Sequence, residues 1–231
     1  MTIPVALALS FLPVLLWGIL GVLSALSPPK DLPALYAAGV LSGLGAVTCA
    51  VLSQLGIGLI FPAGPSYSGT PLASIIVAVT EESARTAAIG IAVAFLPIIS
   101  GVRGDDSADE SAYRRGVLWF GLLSGLTFFA FESLWYALRS PESLALRLAW
   151  TLPLHGSAGI MAASVFSAGG KRWGGFALAV FFHAAWDFCM EPSRASSSAF
   201  LFLSLLSLLG AVFTAFILWN AAPAGDSAPG A

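Results

Sequence analysis

Charge is scarce in this sequence: Asp, Glu, Lys and Arg make up 10% of 231 residues, against about a quarter in soluble domains. That scarcity excludes a water-facing globule, which needs a charged surface to stay in solution. The formal net charge of −2 comes with no basic stripe, so no nucleic-acid partner is expected. Cysteine is almost absent. Cys49 and Cys189 fall within or at the end of apolar stretches, which argues against a disulfide framework and for two inert buried thiols. No repeat of fixed period is present.

What the chain has in abundance is apolar length. It is 58% hydrophobic, with a mean hydropathy of +0.89. Its apolar runs of roughly 20 residues or more are long enough to cross a hydrocarbon core about 30 Å thick. The expected fold is therefore all-α, a polytopic transmembrane bundle of about seven helices, at about 3–26, 33–60, 71–97, 116–138, 145–168, 173–190 and 198–220. Residues 1–220 form a single membrane domain, and 221–231, rich in Ala, Pro and Gly, form a disordered tail. The first stretch lacks a preceding Lys or Arg and a following A-x-A site, so it reads as a retained helix rather than a signal peptide. Pro28, Pro29 and Pro33 punctuate the first connection, with Pro33 placed to open the second helix. Segment 61–70 is an uncharged Pro/Gly/Ser loop, and 100–115 is the most polar stretch, with Asp105, Asp106, Asp109 and Glu110 ahead of Arg114 and Arg115.

Loop charge sets an expected orientation. With the N-terminus outside, the cytoplasmic side collects Lys30, Arg103, Arg114, Arg115, Lys171 and Arg172, and the outside keeps Arg139, Arg147 and Arg194. That bias places the C-terminus in the cytoplasm of a multi-pass protein of the cell membrane. Gly39-x-x-x-Gly43 and Gly121-x-x-x-Gly125 are patterns for close helix packing. Gly121, Gly125, Phe128 and Glu132 share one helical face, so the face that permits close approach also carries a carboxylate inward.

Against this apolar background the ionisable residues stand out. Glu81, Glu82 and Arg85 lie in one apolar helix, Glu132 in the next, His155 in the fifth, and His183 and Asp187 one turn apart in the sixth. A charge at the bilayer centre costs about 2.5–3.5 kcal/mol. Unpaired, Glu81, Glu82, Arg85, Glu132 and Asp187 would cost roughly 10–15 kcal/mol together. Arg85 follows Glu81 by four residues and Glu82 by three, so it reaches either. A buried salt bridge that only fixes packing would use one carboxylate, and two carboxylates beside one cation leave one for proton transfer. Depth joins the set. Because the chain reverses at each span, Glu81, Glu82, Glu132, His155 and His183 all fall roughly 9–17 Å below one membrane face at 1.5 Å rise per residue. With the N-terminus outside, that face is extracytoplasmic.

At these residues the sequence resembles the PrsW-type intramembrane proteases, a branch of the wider group that includes the CAAX-processing and bacteriocin-processing membrane proteases. The resemblance runs through VTEESAR, GLTFFAFESLWY, RLAWTLPLHGSAG and FFHAAWDF, in order, over about residues 75–190, with a protease-like core at about 71–190. The CAAX-processing branch more often has three residues between its Glu pair and Arg, and a His where this chain has Glu132. Arg85 stands where PrsW-like proteins commonly have Lys, and Asp187 where an Asn is common.

The resemblance implies peptide hydrolysis within the membrane, with a transmembrane protein or peptide as substrate. Glu81 or Glu82 would be the general base on a water, with Arg85 orienting the pair. His155 and His183 would position the water or stabilise the oxyanion, Asp187 would orient His183, and Glu132 would hold a second proton-transfer role. No cofactor is required in this scheme. A zinc version stays open, with His155, His183 and a Glu as ligands, although no H-E-x-x-H motif is present. Ser133 follows Glu132, but without a G-x-S-x-G arrangement. Two other classes compete: a proton-coupled transporter, which also uses intramembrane Glu, His and Arg, and a non-catalytic scaffold that binds a partner's helix. Within the protease reading, the substrate is a single-pass regulatory protein such as an anti-sigma factor, a secreted peptide, or a lipid-modified C-terminus.

Overall fold

The computed structural model describes residues 2–24, 32–60, 70–100, 107–140, 143–167, 173–191, 194 and 196–221. The described residues form helices and no strand. They are α1 Ile3–Ser24, α2 Leu32–Ile60, α3 Pro71–Ser100, α4 Ser107–Arg139, α5 Ser143–Leu146, a π-helical turn Arg147–Thr151, α6 Leu152–Ser164, α7 Trp173–Cys189 and α8 Ser198–Asn220. Pro28, Pro29, Lys30, the 61–69 loop, Arg103, Asp105, Asp106, Lys171, Arg172 and the 222–231 tail lie outside the described residues, and with them much of the charge that sets the expected orientation.

Tyr36–Gly58, Gly116–Arg139 and Ser198–Asn220 are long and apolar enough to cross a membrane. Ile3–Leu16 is a shorter apolar helix. The central part of α3 carries Glu81, Glu82 and Arg85, while α6 and α7 have 13 and 17 residues. Outward faces are dominated by apolar side chains: Leu52, Ile91, Phe181 and Phe213 are each more than 60% exposed. A folded chain exposes such side chains in bulk where its surroundings are not water.

Two helices build the interior. In α6 every residue from Leu154 to Ser164 is buried, and it packs against α3, α4, α7 and α8. On its other side α4 carries α1 and α2, and α3 bridges α2 to α7. The α4–α6 contact is made of backbone. A Cβ on Gly125 would run into the His155 carbonyl oxygen, and one on Gly159 into that of Gly121. Gly39 and Gly43 bring α2 onto α4 in the same way, facing Leu123 and Thr127. Both glycine pairs thus serve the close packing that their spacing predicts.

Local signals set several boundaries. Thr70 Oγ1 accepts the Ala73 N–H at 3.2 Å, and Pro71 opens α3 where a missing N–H costs nothing. Helix α4 begins at Ser107, well before the apolar run, so Asp109, Glu110, Arg114 and Arg115 belong to its first turns and not to a loop. The continuous fifth helix expected at 145–168 is also corrected. It is broken into α5, a π-helical turn and α6, and ends at Ser164. In the π-helical turn the Leu152 N–H bonds to the Arg147 carbonyl. Pro153 has no N–H to offer, and its ring would crowd the carbonyl four residues back, so a widened turn ahead of it relieves the clash. Cys49 and Cys189 are free thiols; Cys189 is buried at the end of α7 as expected, whereas Cys49 is exposed on the outer face of α2 and not buried.

Candidate active site

The fold brings all seven sequence-predicted residues into one cluster between α3, α4, α6 and α7. Its centre is Arg85, fully buried with Glu82 beneath Phe128, whose ring centroid lies 4.5 Å from the guanidinium carbon. Arg85 Nη1 donates to Glu82 Oε1 within α3. Its Nη2 reaches His155 Nδ1 on α6 at 3.0 Å. His155 Nε2 in turn lies 2.9 Å from Glu132 Oε2 on α4. On the other side, His183 Nδ1 lies 2.7 Å from Glu82 Oε1. The two imidazoles meet edge to face at 5.1 Å.

Donor chemistry fixes the tautomers. A guanidinium only donates, so His155 Nδ1 is the acceptor and Nε2–H donates to Glu132. Glu82 Oε1 already accepts from Arg85, so His183 donates Nδ1–H to it. The remaining His183 nitrogen, Nε2, faces Glu81 Oε2 at 3.5 Å and Asp187 Oδ2 at 3.6 Å. Those separations are ion-pair distances, longer than a direct hydrogen bond. Glu81 Oε2, Glu82 Oε2 and Arg85 Nε are buried without a hydrogen-bond partner among the described residues.

The two carboxylates of the pair therefore differ. Glu82 is held through one oxygen by Arg85 and His183, whereas Glu81 turns Oε2 toward His183 and Asp187. Only Asp187 and Glu132 show appreciable side-chain exposure, 30% and 23%, which puts the open side of the cluster at these two carboxylates.

Two residues absent from the sequence reading of the site join it. Arg147, expected at the outer end of the fifth span and counted there among the outside charges, is carried inward by the π-helical turn. Its Nη2 lies 2.6 Å from Glu132 Oε2, its Nε donates to Ser133 Oγ at 3.3 Å, and its guanidinium stacks on Tyr136 at 4.1 Å. Ser133 is thus a buried anchor for Arg147 rather than a nucleophile beside a histidine. Gln54 of α2 donates Nε2–H to Glu81 Oε1 at 3.0 Å. Its signal in the sequence is its position: Ala46, Ala50 and Gln54 fall at intervals of four on one face of an apolar helix.

The zinc arrangement of His155, His183 and a Glu is not assembled. Both nitrogens of His155 are engaged, one by a cationic guanidinium, and no three His, Cys, Asp or Glu side chains converge as a cation cage among the described residues. Compared with protein-family models, with curated proteins and with solved structures, the chain matches none.

Proposed function

We propose that this chain is a seven-span intramembrane protease of the PrsW type, which hydrolyses a peptide bond of a membrane-embedded substrate at Glu81. The observation that carries the reading is the convergence of Glu81 Oε2 and Asp187 Oδ2 on His183 Nε2, at 3.5 and 3.6 Å, where Glu81 Oε2 is buried without a hydrogen-bond partner among the described residues. A water there gives its proton to Glu81 Oε2 while its oxygen bonds to the scissile carbonyl carbon. The proton then passes to the amide nitrogen as the C–N bond breaks, leaving a carboxyl and an amine. His183 orients the water through Nε2, and its own orientation is set by Glu82. Arg85 keeps Glu82 and His155 in place, and Asp187, the most exposed carboxylate of the cluster, exchanges protons with the outside. No step passes through a metal.

The apolar α1, the short helices α6 and α7 and the charged α3 complete the seven spans in this reading, because the polar groups of α3, α6 and α7 face one another and their outer surfaces are largely apolar. Glu132 lies about 10 Å from the end of α4 at Arg139, and His183 about 9 Å from the end of α7, at 1.5 Å per residue. Aromatic and cationic side chains mark those ends: Arg139 stacks on Trp135 at 3.9 Å and Arg194 on Phe188 at 4.0 Å, as at a membrane interface. With the N-terminus outside, this end is extracytoplasmic.

A proton-coupled transporter would use the same hydrogen-bonded series from His183 to Glu132. Arg85 sits in the middle of it, and a guanidinium does not give up its proton, so the series holds charge in place instead of conducting it.

The test is cleavage of a single-span substrate by purified protein in liposomes, with and without a chelator. Wild type is expected to cut in both conditions. Glu81→Gln is expected to fold and to lose at least a hundredfold in rate, the size of a general-base contribution. An active Glu81→Gln protein, or no cutting over a broad substrate panel, sinks the reading.

A further inference from the structure

Gln54 is the only glutamine in the chain, and it stands in a helix whose other polar side chains are hydroxyls, a phenol and a thiol. Along α2 its face continues a ladder of small residues. Ala46 and Ala50 are buried in one cluster with Phe128, against which Ala84 and Ala88 of α3 pack. Where the next rung falls, the small apolar pair gives way to Gln54 and Glu81, joined at 3.0 Å. The α2–α3 contact is held by alanines above this rung, so the amide is not needed to join the helices. Its effect is on the carboxylate. With Oε1 accepting from Gln54, rotation of the Glu81 carboxyl is blocked, and Oε2 is the oxygen left to face His183 Nε2 and Asp187 Oδ2. Asp187 and His183 approach Glu81 from α7, Arg85 lies on its own helix, and Glu132 and Arg147 stand beyond His155. None of these supplies a hydrogen bond to Oε1.

We propose that Gln54 is the positioning residue of Glu81. It aims the carboxylate by holding the oxygen that does not react. The assignment rests on the protease reading for its kinetic consequence but not for its geometry, and two measurements separate them. In the liposome cleavage assay, Gln54→Leu is expected to lower kcat on the order of a hundredfold, as a misaimed group does, with KM and melting temperature unchanged. Gln54→His, which restores a donor from the same position, is expected to recover part of kcat. Thr48→Ala is the control on the same helix, since that exposed hydroxyl bonds to the Leu44 carbonyl of its own helix, and it should behave as wild type. Independently of turnover, modification of Glu81 by a membrane-soluble carbodiimide is followed by peptide mass mapping. A carboxyl freed from its donor is expected to react at least threefold faster in Gln54→Leu. Equal modification of Glu81 in the two proteins overturns the assignment whether or not the protein cleaves. Changed modification without cleavage by wild type keeps Gln54 as the positioning residue and removes the protease reading. A fall in melting temperature that accounts for the whole loss of rate assigns Gln54 to helix packing and also overturns the proposal.

Discussion

At the scale of the residue, the cluster is governed by how few donors serve many acceptors. Arg85 spans two helices because its fork presents separate nitrogens to Glu82 Oε1 and His155 Nδ1. A lysine offers a single nitrogen on a flexible stem, so the two functions cannot be met by one ammonium. Arg85→Lys is therefore expected to lower stability by about 1–3 kcal/mol, the cost of a buried polar group left without its partner. Arg85→Leu, which strands a buried carboxylate, is expected to cost about 3–5 kcal/mol. Thermal unfolding in detergent ranks the two, and an Arg85→Lys protein as stable as wild type would show that the second arm of the fork is dispensable. The same logic makes Glu82 and Glu81 unequal despite their adjacency. One is spent on holding the site together, and the other is left with an oxygen to use.

Elements bring these residues within reach by backbone contact. Helices α4 and α6 touch through Gly121, Gly125 and Gly159, and the Gly125 contact is to the carbonyl of His155 itself. A side chain at Gly125 would push α6 away at the position where His155 meets Glu132. Gly125→Ala is expected to destabilise by about 1–3 kcal/mol, as overpacking does, and to lengthen the His155–Glu132 hydrogen bond. Melting temperature and cleavage rate should fall together, whereas Gly45→Ala, with nothing within 4 Å of the added atom, should leave both in place. The π-helical turn acts at the same scale. By widening one turn ahead of Pro153 it rotates Arg147 inward, where it meets Glu132, Ser133 and Tyr136 in a single side chain's length.

For the whole molecule, orientation is decided by which ends of the helices meet which side. The protease reading puts the end bearing Trp135, Tyr136 and Arg139 outside. Single cysteines placed in a background without Cys49 and Cys189 test it. Ser140→Cys is expected to react with a membrane-impermeant maleimide on intact cells, and Asn220→Cys only after permeabilisation. The reverse pattern turns the molecule over and moves the cluster to the cytoplasmic half.

The amino-acid sequence determined the class of the fold, because apolar length without charge leaves helices as the economical way to satisfy a backbone away from water. It also determined the membership of the cluster. Ionisable residues in apolar helices must find one another; counting residues along reversing spans places Glu81, Glu82, Glu132, His155 and His183 in one layer, and helical spacing adds Arg85 and Asp187 one turn away from Glu81 and His183. Glycine spacing showed which faces close on each other. Tertiary structure alone decided the division of labour within the layer. Which oxygen of which glutamate is bonded, and which nitrogen of each histidine is the donor, depend on distances between different helices, and residue spacing carries no information about those. The same holds for Gln54 and Arg147. One is a lone polar residue on a helix with no other sign of chemistry, and the other looks like a cation at the outer end of a span until a widened turn, set by Pro153, swings it against Glu132.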